Sequence, residues 1–325
     1  MTLSAADPMV FLPAVDDPVL SGLRSGFEAH LAAALPKSRD AADLVVAAMR
    51  EAALSPGKRI RPLLLLTATH ALGRPASSVM DAACALELVH AASLVMDDLP
   101  CMDDASLRRG RPTLHRQFGE DVASLAVIGL LSQAFRLAAA SPALEPGPRA
   151  RLTVLLADAV GCQGLVGGQL RDLRCTEGAR TARDAAVVNR CKTGALFRAA
   201  LQGAAIAAGA QADVQDALGR CADDIGQAFQ LLDDLKDDGA LAPTGKDTHQ
   251  DEGKTTLLSL LGRDTARRRL QRHLRRVEDA LTALFPQEDV VLRLLRRGCG
   301  FDALGQAGAR RNGAAPAQGS AAAAG

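Results

Sequence analysis

The chain has 325 residues, 48% hydrophobic and 23% charged, with a formal net charge of +1. That balance lacks the basic field of a nucleic-acid-binding surface, and with 8 Phe, no Tyr and no Trp there are few platforms for stacking bases, so nucleic acid is not an expected partner. Seven cysteines without a CxxC pair read as reduced thiols of a cytoplasmic protein rather than as disulfides or a zinc site.

Residues 1–20 carry early acids and prolines and no basic stretch, so they read as an arm and not as a signal peptide. An initial helix follows to about Leu35. DAADLVVAAMREAAL is an amphipathic helix, SPGKRIRP breaks it, and LLLLTATHAL begins the next. Later breaks fall at GRPASS, SPALEPGPRA, TEGAR and LAPTGKDTHQDEGK. Between them lie segments of helical period and length, including AAVVNRCKTGALFRAALQGAAIAA. Alternating strand patterns are missing. The expectation is an all-α fold: a single domain of ten or more helices over 1–305, then a low-complexity, disordered tail at 306–325. No apolar run is expected to reach the length of a membrane span.

Two acidic clusters interrupt otherwise core-like helical runs: DDLPCMDD at Asp97–Asp104 and DDLKDD at Asp233–Asp238. Carboxylates repel one another and are costly to bury unpaired, so two such clusters imply a shared cation. Oxygen-only ligands point to Mg²⁺, which takes substrate phosphates as further ligands; Mn²⁺ accepts the same donors. Asp233 and Asp237 are one turn apart on one helix face. Asp97 and Asp103 are six residues apart, which a regular helix would splay by about 120°. Pro100 between them rules out regular helix there, so a local loop can bring the pair together. His90 precedes Asp97 by seven residues, on the same face and about 10 Å down the axis.

Cations accompany the acids. GKRIRP places Lys58, Arg59 and Arg61 around a helix start with Pro62 in its first turn. LRRGRPT supplies Arg108, Arg109 and Arg111 just after the first cluster. CKTGALF supplies Lys192 and Thr193, and TGKDTHQDEGKTT supplies Lys246 and Lys254. Gln230 shares the helix face of Asp233. Helix N-termini and guanidinium forks bind phosphate well, and the set has the sign to hold two pyrophosphates.

Together VHAASLVMDDLPCMDDASLRRGRPT, GKRIRP, CKTGALF and FQLLDDLKDD…TGKDTHQDEGKTTLL resemble the trans-prenyl diphosphate synthases, from about Asp43 to Leu261. The resemblance implies an all-α barrel-like bundle, a homodimer, with the active site in a central cavity between the two Asp motifs. It implies that Asp97, Asp103 and Asp233 bind Mg²⁺, supported by Asp98, Asp234 and Asp237. It implies that Arg108, Lys192, Thr193, Gln230 and Lys246 hold an allylic diphosphate, and that Lys58, Arg61, His90 and Arg109 hold the diphosphate of isopentenyl diphosphate. Asp97, Asp103, Asp233, Lys192 and Lys246 are the implied catalytic set.

Product length is expected to follow the side chains below the first cluster. Ala92, next to Ser93, lies about 7.5 Å down the helix from Asp97. Farnesyl synthases of this type commonly carry an aromatic residue there. The small side chain favours a C20 product over C15, as in the bacterial carotenoid-pathway relatives. A class I terpene cyclase would lack the isopentenyl diphosphate site offered by GKRIRP and Arg109, and a non-catalytic subunit would have lost part of the set. Val127-Ile128 stands where many relatives carry Gly-Asp, so helix packing and the dimer contact are expected to differ there. The Arg-rich stretch RDTARRRLQRHLRRV reads first as a solvated helix face, with guidance of a pyrophosphate lid or contact with an anionic membrane as the alternatives.

Overall fold

The computed structural model describes residues 17–37, 43–174, 181–237 and 257–301. Lys246, Lys254 and the 306–325 tail lie outside these, as does the side chain of Asp237. Among the described residues there are fourteen α-helices. In chain order they are α1 (Pro18–Ala34), α2 (Asp43–Leu54), α3 (Ile60–Ala71), α4 (Met80–Asp98), α5 (Leu114–Phe118), α6 (Glu120–Ala140) and α7 (Pro146–Val160). Then follow α8 (Leu165–Arg174), α9 (Ala182–Asn189), α10 (Ala195–Ala208), α11 (Ala212–Asp237), α12 (Leu257–Leu261), α13 (Arg263–Leu284) and α14 (Val290–Cys299). The fold is all-α, as the helical periodicity predicts.

Helix starts follow local chemistry. Asp17 caps α1 by accepting from the Val19 and Leu20 amides, with Pro18 as the first helical residue. Thr181 and Asp184 form a reciprocal capping box at α9. Asp17 also accepts from Arg293 Nε at 2.8 Å, tying the start of α1 to α14.

α4 is the central helix, packed along α6 and touching α1, α2, α3 and α10. It is buried on nearly every side, with Cys84 through Val89 and Ala91–Ala92 all inside. Its alanines let neighbours approach closely, and larger core residues such as Leu64, Leu66, Leu130, Phe197 and Leu201 fill the space between helices. α10 and α13 flank α11, the helix of the second acidic cluster.

Two features depart from the sequence reading. First, among the described residues three stretches are long and apolar enough to cross a membrane by length and composition: 76–98, 120–140 and 146–174, each with an 18-residue window of mean hydropathy 1.6, 1.7 and 1.2 respectively. The expectation that none reaches that length is therefore corrected. Searching for unbroken apolar runs missed them, because alanine and leucine keep the mean high across scattered polar residues. Second, Leu107–Arg108 and Arg111–Pro112 pair as a minimal antiparallel ladder. Its turn has positive φ at both Arg109 (54°) and Gly110 (76°), the backbone of a tight two-residue hairpin, which glycine adopts freely and arginine does not.

Candidate active site

The first acidic wall is the C-terminal end of α4. Asp97 and Asp98 close that helix, where the dipole disfavours negative charge. The chain then folds back as Pro100 requires. The Asp103 amide donates to the Asp97 carbonyl at 3.0 Å, and the Asp104 and Ala105 amides donate to Leu99 and Asp98 carbonyls. This loop brings Asp103 beside Asp97, at the cost of a left-handed backbone at Asp104 (φ 46°). Burial raises the Asp97 carboxyl above the usual carboxylate range; Lys192 opposes the rise and Asp103 adds to it.

Asp98 points elsewhere. Its side chain, 5% exposed, is gripped by Arg108, with Nη2 to Oδ1 at 2.6 Å and Nε donating to the carboxylate at 2.7 and 2.8 Å. Asp98 thus fixes Arg108 beside the acidic wall.

The second wall is on α11. Asp233 is partly buried near its C-terminal end, and Gln230 Nε2 donates to Asp234 Oδ1 at 3.0 Å. A π-turn at Arg190–Gly194, between α9 and α10, carries Lys192 and Thr193. π-turns recur at functional sites. These adjacent residues reach opposite walls. Lys192 Nζ lies 3.7 Å from Asp97 Oδ2, while Thr193 Oγ1 donates to Gln230 Oε1 at 3.1 Å. The turn therefore links the first acidic cluster to the helix that carries the second.

The cationic side is built from the segment before α3 and from the hairpin. Of the three cations in GKRIRP, the structure turns Arg59 inward. It sits in left-handed backbone (φ 51°) and bonds Glu87 at 2.6 Å, Glu28 at 2.9 Å and the Ser55 carbonyl at 3.0 Å. Lys58 is exposed. Arg61 stacks over Phe197, 5.0 Å from the ring centroid, and its Nη1 donates to His90 Nε2 at 3.3 Å. Arg61 Nε is buried without a partner. Burial, then the charges of Arg61, Arg109, Arg108 and Arg59, hold His90 well below its ordinary value, so the ring is neutral and accepts from Arg61. Arg109 Nη1 donates to the Pro56 carbonyl at 2.5 Å, laying the hairpin tip against the residues before Lys58. Ala92 is 2% exposed on α4, and Ser93 donates to the His90 carbonyl.

Asp172 is a site residue that motif reading missed. Placed on α8 in GGQLRDL, it accepts from Lys192 Nζ at 3.3 Å. Nothing in its own segment marks it out except that it is an acid among exposed leucines. Gln169, on the same helix, has a buried Oε1 without a partner and an Nε2 4.0 Å from Met102 Sδ in the acidic loop.

The donor set suits a hard divalent cation: carboxylate oxygens only, held close enough to repel, with no thiol or imidazole among them. Among the described residues no three His, Cys, Asp or Glu side chains converge to form a closed metal cage.

A polyprenyl synthetase family model matches residues 42–284. A geranylgeranyl diphosphate synthase of Pantoea ananas is 50% identical over 243 residues, covering 74% of this chain and 80% of the relative. One from Pseudescherichia vulneris is 48% identical over 275 residues, covering 84% and 89%. The crystal structure of an apo FPP/GFPP synthase from Zymomonas mobilis superposes with a TM-score of 0.76 at 33% identity, covering 86% of this chain and 95% of that one.

Proposed function

This chain belongs to the polyprenyl synthetase family, and from that premise we propose that it condenses isopentenyl diphosphate head-to-tail with an allylic diphosphate to give geranylgeranyl diphosphate, C20. The carrying observation is the span of the Lys192–Thr193 pair between two acidic walls, with a separate cationic face at Lys58, Arg61 and Arg109. A terpene cyclase needs only the first part. The intact acidic and cationic sets weigh against a non-catalytic subunit. The names of the two bacterial relatives and the small Ala92 support C20 over C15.

The residues divide the work by charge. Lys192 and Arg108 neutralise charge developing on the departing allylic diphosphate. Asp98 keeps Arg108 aimed, and Asp172 does the same for Lys192. Asp97 and Asp103 on one wall and Asp233 on the other would hold Mg²⁺, which when bound supplies further neutralisation of that leaving group. Lys58, Arg61 and Arg109 hold the second diphosphate so that its double bond lies against the allylic carbon. His90, neutral, orients Arg61 and adds no repulsion there. Condensation then ends with loss of a proton, for which the released pyrophosphate is the base; no side chain acts as a nucleophile.

The chain is proposed to work as a homodimer. Leu125 and Ile128 on α6 are 53% and 64% exposed, an apolar pair that a second copy would cover. Sedimentation velocity tests this.

Purified protein with Mg²⁺, radiolabelled isopentenyl diphosphate and farnesyl diphosphate, followed by dephosphorylation and chromatography, tests the reaction. A C20 alcohol that disappears with EDTA is expected. Product that stops at C15 from a shorter primer would overturn the C20 assignment. No condensation with any primer would overturn the enzyme reading.

A further inference from the structure

The π-turn that carries Lys192 and Thr193 is touched, backbone to backbone, from two sides. Gly168 on α8 is so close that an added Cβ would lie 2.8 Å from the Lys192 nitrogen and 2.9 and 3.1 Å from Cys191 Cβ and carbonyl carbon. Gly226 on α11 is as close on its side: a Cβ would lie 2.8 Å from Gly194 Cα and 3.3 Å from its nitrogen. Contacts this short with main-chain atoms are not relieved by a rotamer change; the turn itself has to move.

Each glycine also stands one helical turn before the side chain that bonds the π-turn from its helix. Gly168 precedes Asp172, the partner of Lys192, by four residues. Gly226 precedes Gln230, the partner of Thr193, by four. Residues so spaced share a helix face. Each helix thus presents a contact surface with no side chain and, one turn on, a polar group reaching across. An α-helical register or a wider gap would leave neither Lys192 between Asp97 and Asp172 nor Thr193 on Gln230.

We propose that Gly168 and Gly226 are positioning residues: a two-sided backbone clamp that sets the π-turn so that Lys192 and Thr193 engage the allylic diphosphate. The inference rests on the allylic reading of that subsite. Lys58, Arg61 and Arg109 are carried by α3, the segment before it and the hairpin, and none of these is among the nearest neighbours of either glycine; Gly226 does face the Phe197 ring under Arg61, with a Cβ at an ordinary 4.0 Å from Cδ2, so Gly168 is the cleaner probe of the allylic subsite.

The test is steady-state kinetics of Gly168→Ala and Gly226→Ala, varying each substrate separately, beside thermal unfolding. A displacement of several tenths of an ångström at a phosphate-binding lysine is expected to raise KM for the allylic diphosphate about tenfold and to lower kcat. KM for isopentenyl diphosphate should stay within about twofold of wild type. Gly219→Ala is the matched control. It lies on α11 seven residues before Gly226, and the nearest atoms its Cβ would meet are the flexible tips of Arg198 and Gln202, each at 2.8 Å. It should leave both KM values unchanged. A general packing role would instead move both KM values, or the melting temperature alone, and would overturn the clamp. If one glycine variant fails to fold, the other decides. If both fail while Gly219→Ala folds, the glycines serve global stability and the proposal is wrong. Absence of turnover in the wild-type chain would refute the allylic reading itself, which the glycine variants do not address.

Discussion

Arg59 offers a sharp test of how the cationic face is held. Its side chain is 3% exposed and its charge is met by Glu87, 6% exposed, and by Glu28, 34% exposed. Replacing Glu87 with Gln keeps shape and an acceptor but leaves the guanidinium with one half-open carboxylate. Removing one partner of a buried pair costs about 3–5 kcal/mol. With Glu28 still in place, the lower end, about 3 kcal/mol, is expected. For a chain of this size roughly 2 °C accompanies each kcal/mol, so melting should fall by about 6 °C. Circular dichroism of Glu87→Gln against wild type, at matched protein concentration, measures it. The neighbouring Lys58 and Arg61 depend on the same left-handed anchor, so KM for isopentenyl diphosphate should rise as well. The joint change Arg59→Met with Glu87→Met should recover part of the stability without recovering that KM, since both buried charges leave together. A melting change below about 1 °C in Glu87→Gln would refute the reasoning.

Other outcomes follow from the same geometry. Because the native His90 binds protons more weakly than the unfolded chain, its neutral form contributes stability that is complete above the ordinary value of 6.5 and lost as pH falls below it. His90→Gln, which keeps an acceptor for Arg61, should flatten that acid-side slope; a melting temperature that drops as steeply as wild type from pH 6.5 to 5 would show the source lies elsewhere. Ala92→Phe should shift the main product from C20 to C15 with the first condensation intact, and an unchanged chromatogram would place the floor of the pocket at other residues. Burial pushes the Cys221 and Cys299 thiols up to about 12, whereas Cys101 and Cys162 are exposed. Peptide mapping after brief alkylation at pH 8 should find Cys101 and Cys162 modified and the buried pair intact until the chain is unfolded.

Much of the architecture was legible in the chain itself. Helical spacing, the shortage of strand-forming patterns and the breaks at SPGKRIRP and SPALEPGPRA are local properties, and they correctly gave an all-α fold. Pro100 foretold the fold-back that sets the Asp103 amide on the Asp97 carbonyl, because a proline forbids regular helix whatever surrounds it. The acidic clusters were legible for a similar reason: charge packed into apolar segments is costly enough to need an explanation within the sequence.

The sorting of look-alike residues was decided only by the tertiary structure. Arg59 and Arg61 are two positions apart in one motif, yet one is locked between Glu28 and Glu87 and the other lies over Phe197 beside His90. Asp97 and Asp98 are adjacent, yet one lies within reach of Lys192 and the other is spent on Arg108. Asp172 carries no local signal at all. The physical reason is common to these cases. A charged side chain takes its role from the partner that meets it, and those partners come from other segments of the chain, from ten to well over a hundred residues away, brought close only when the core packs.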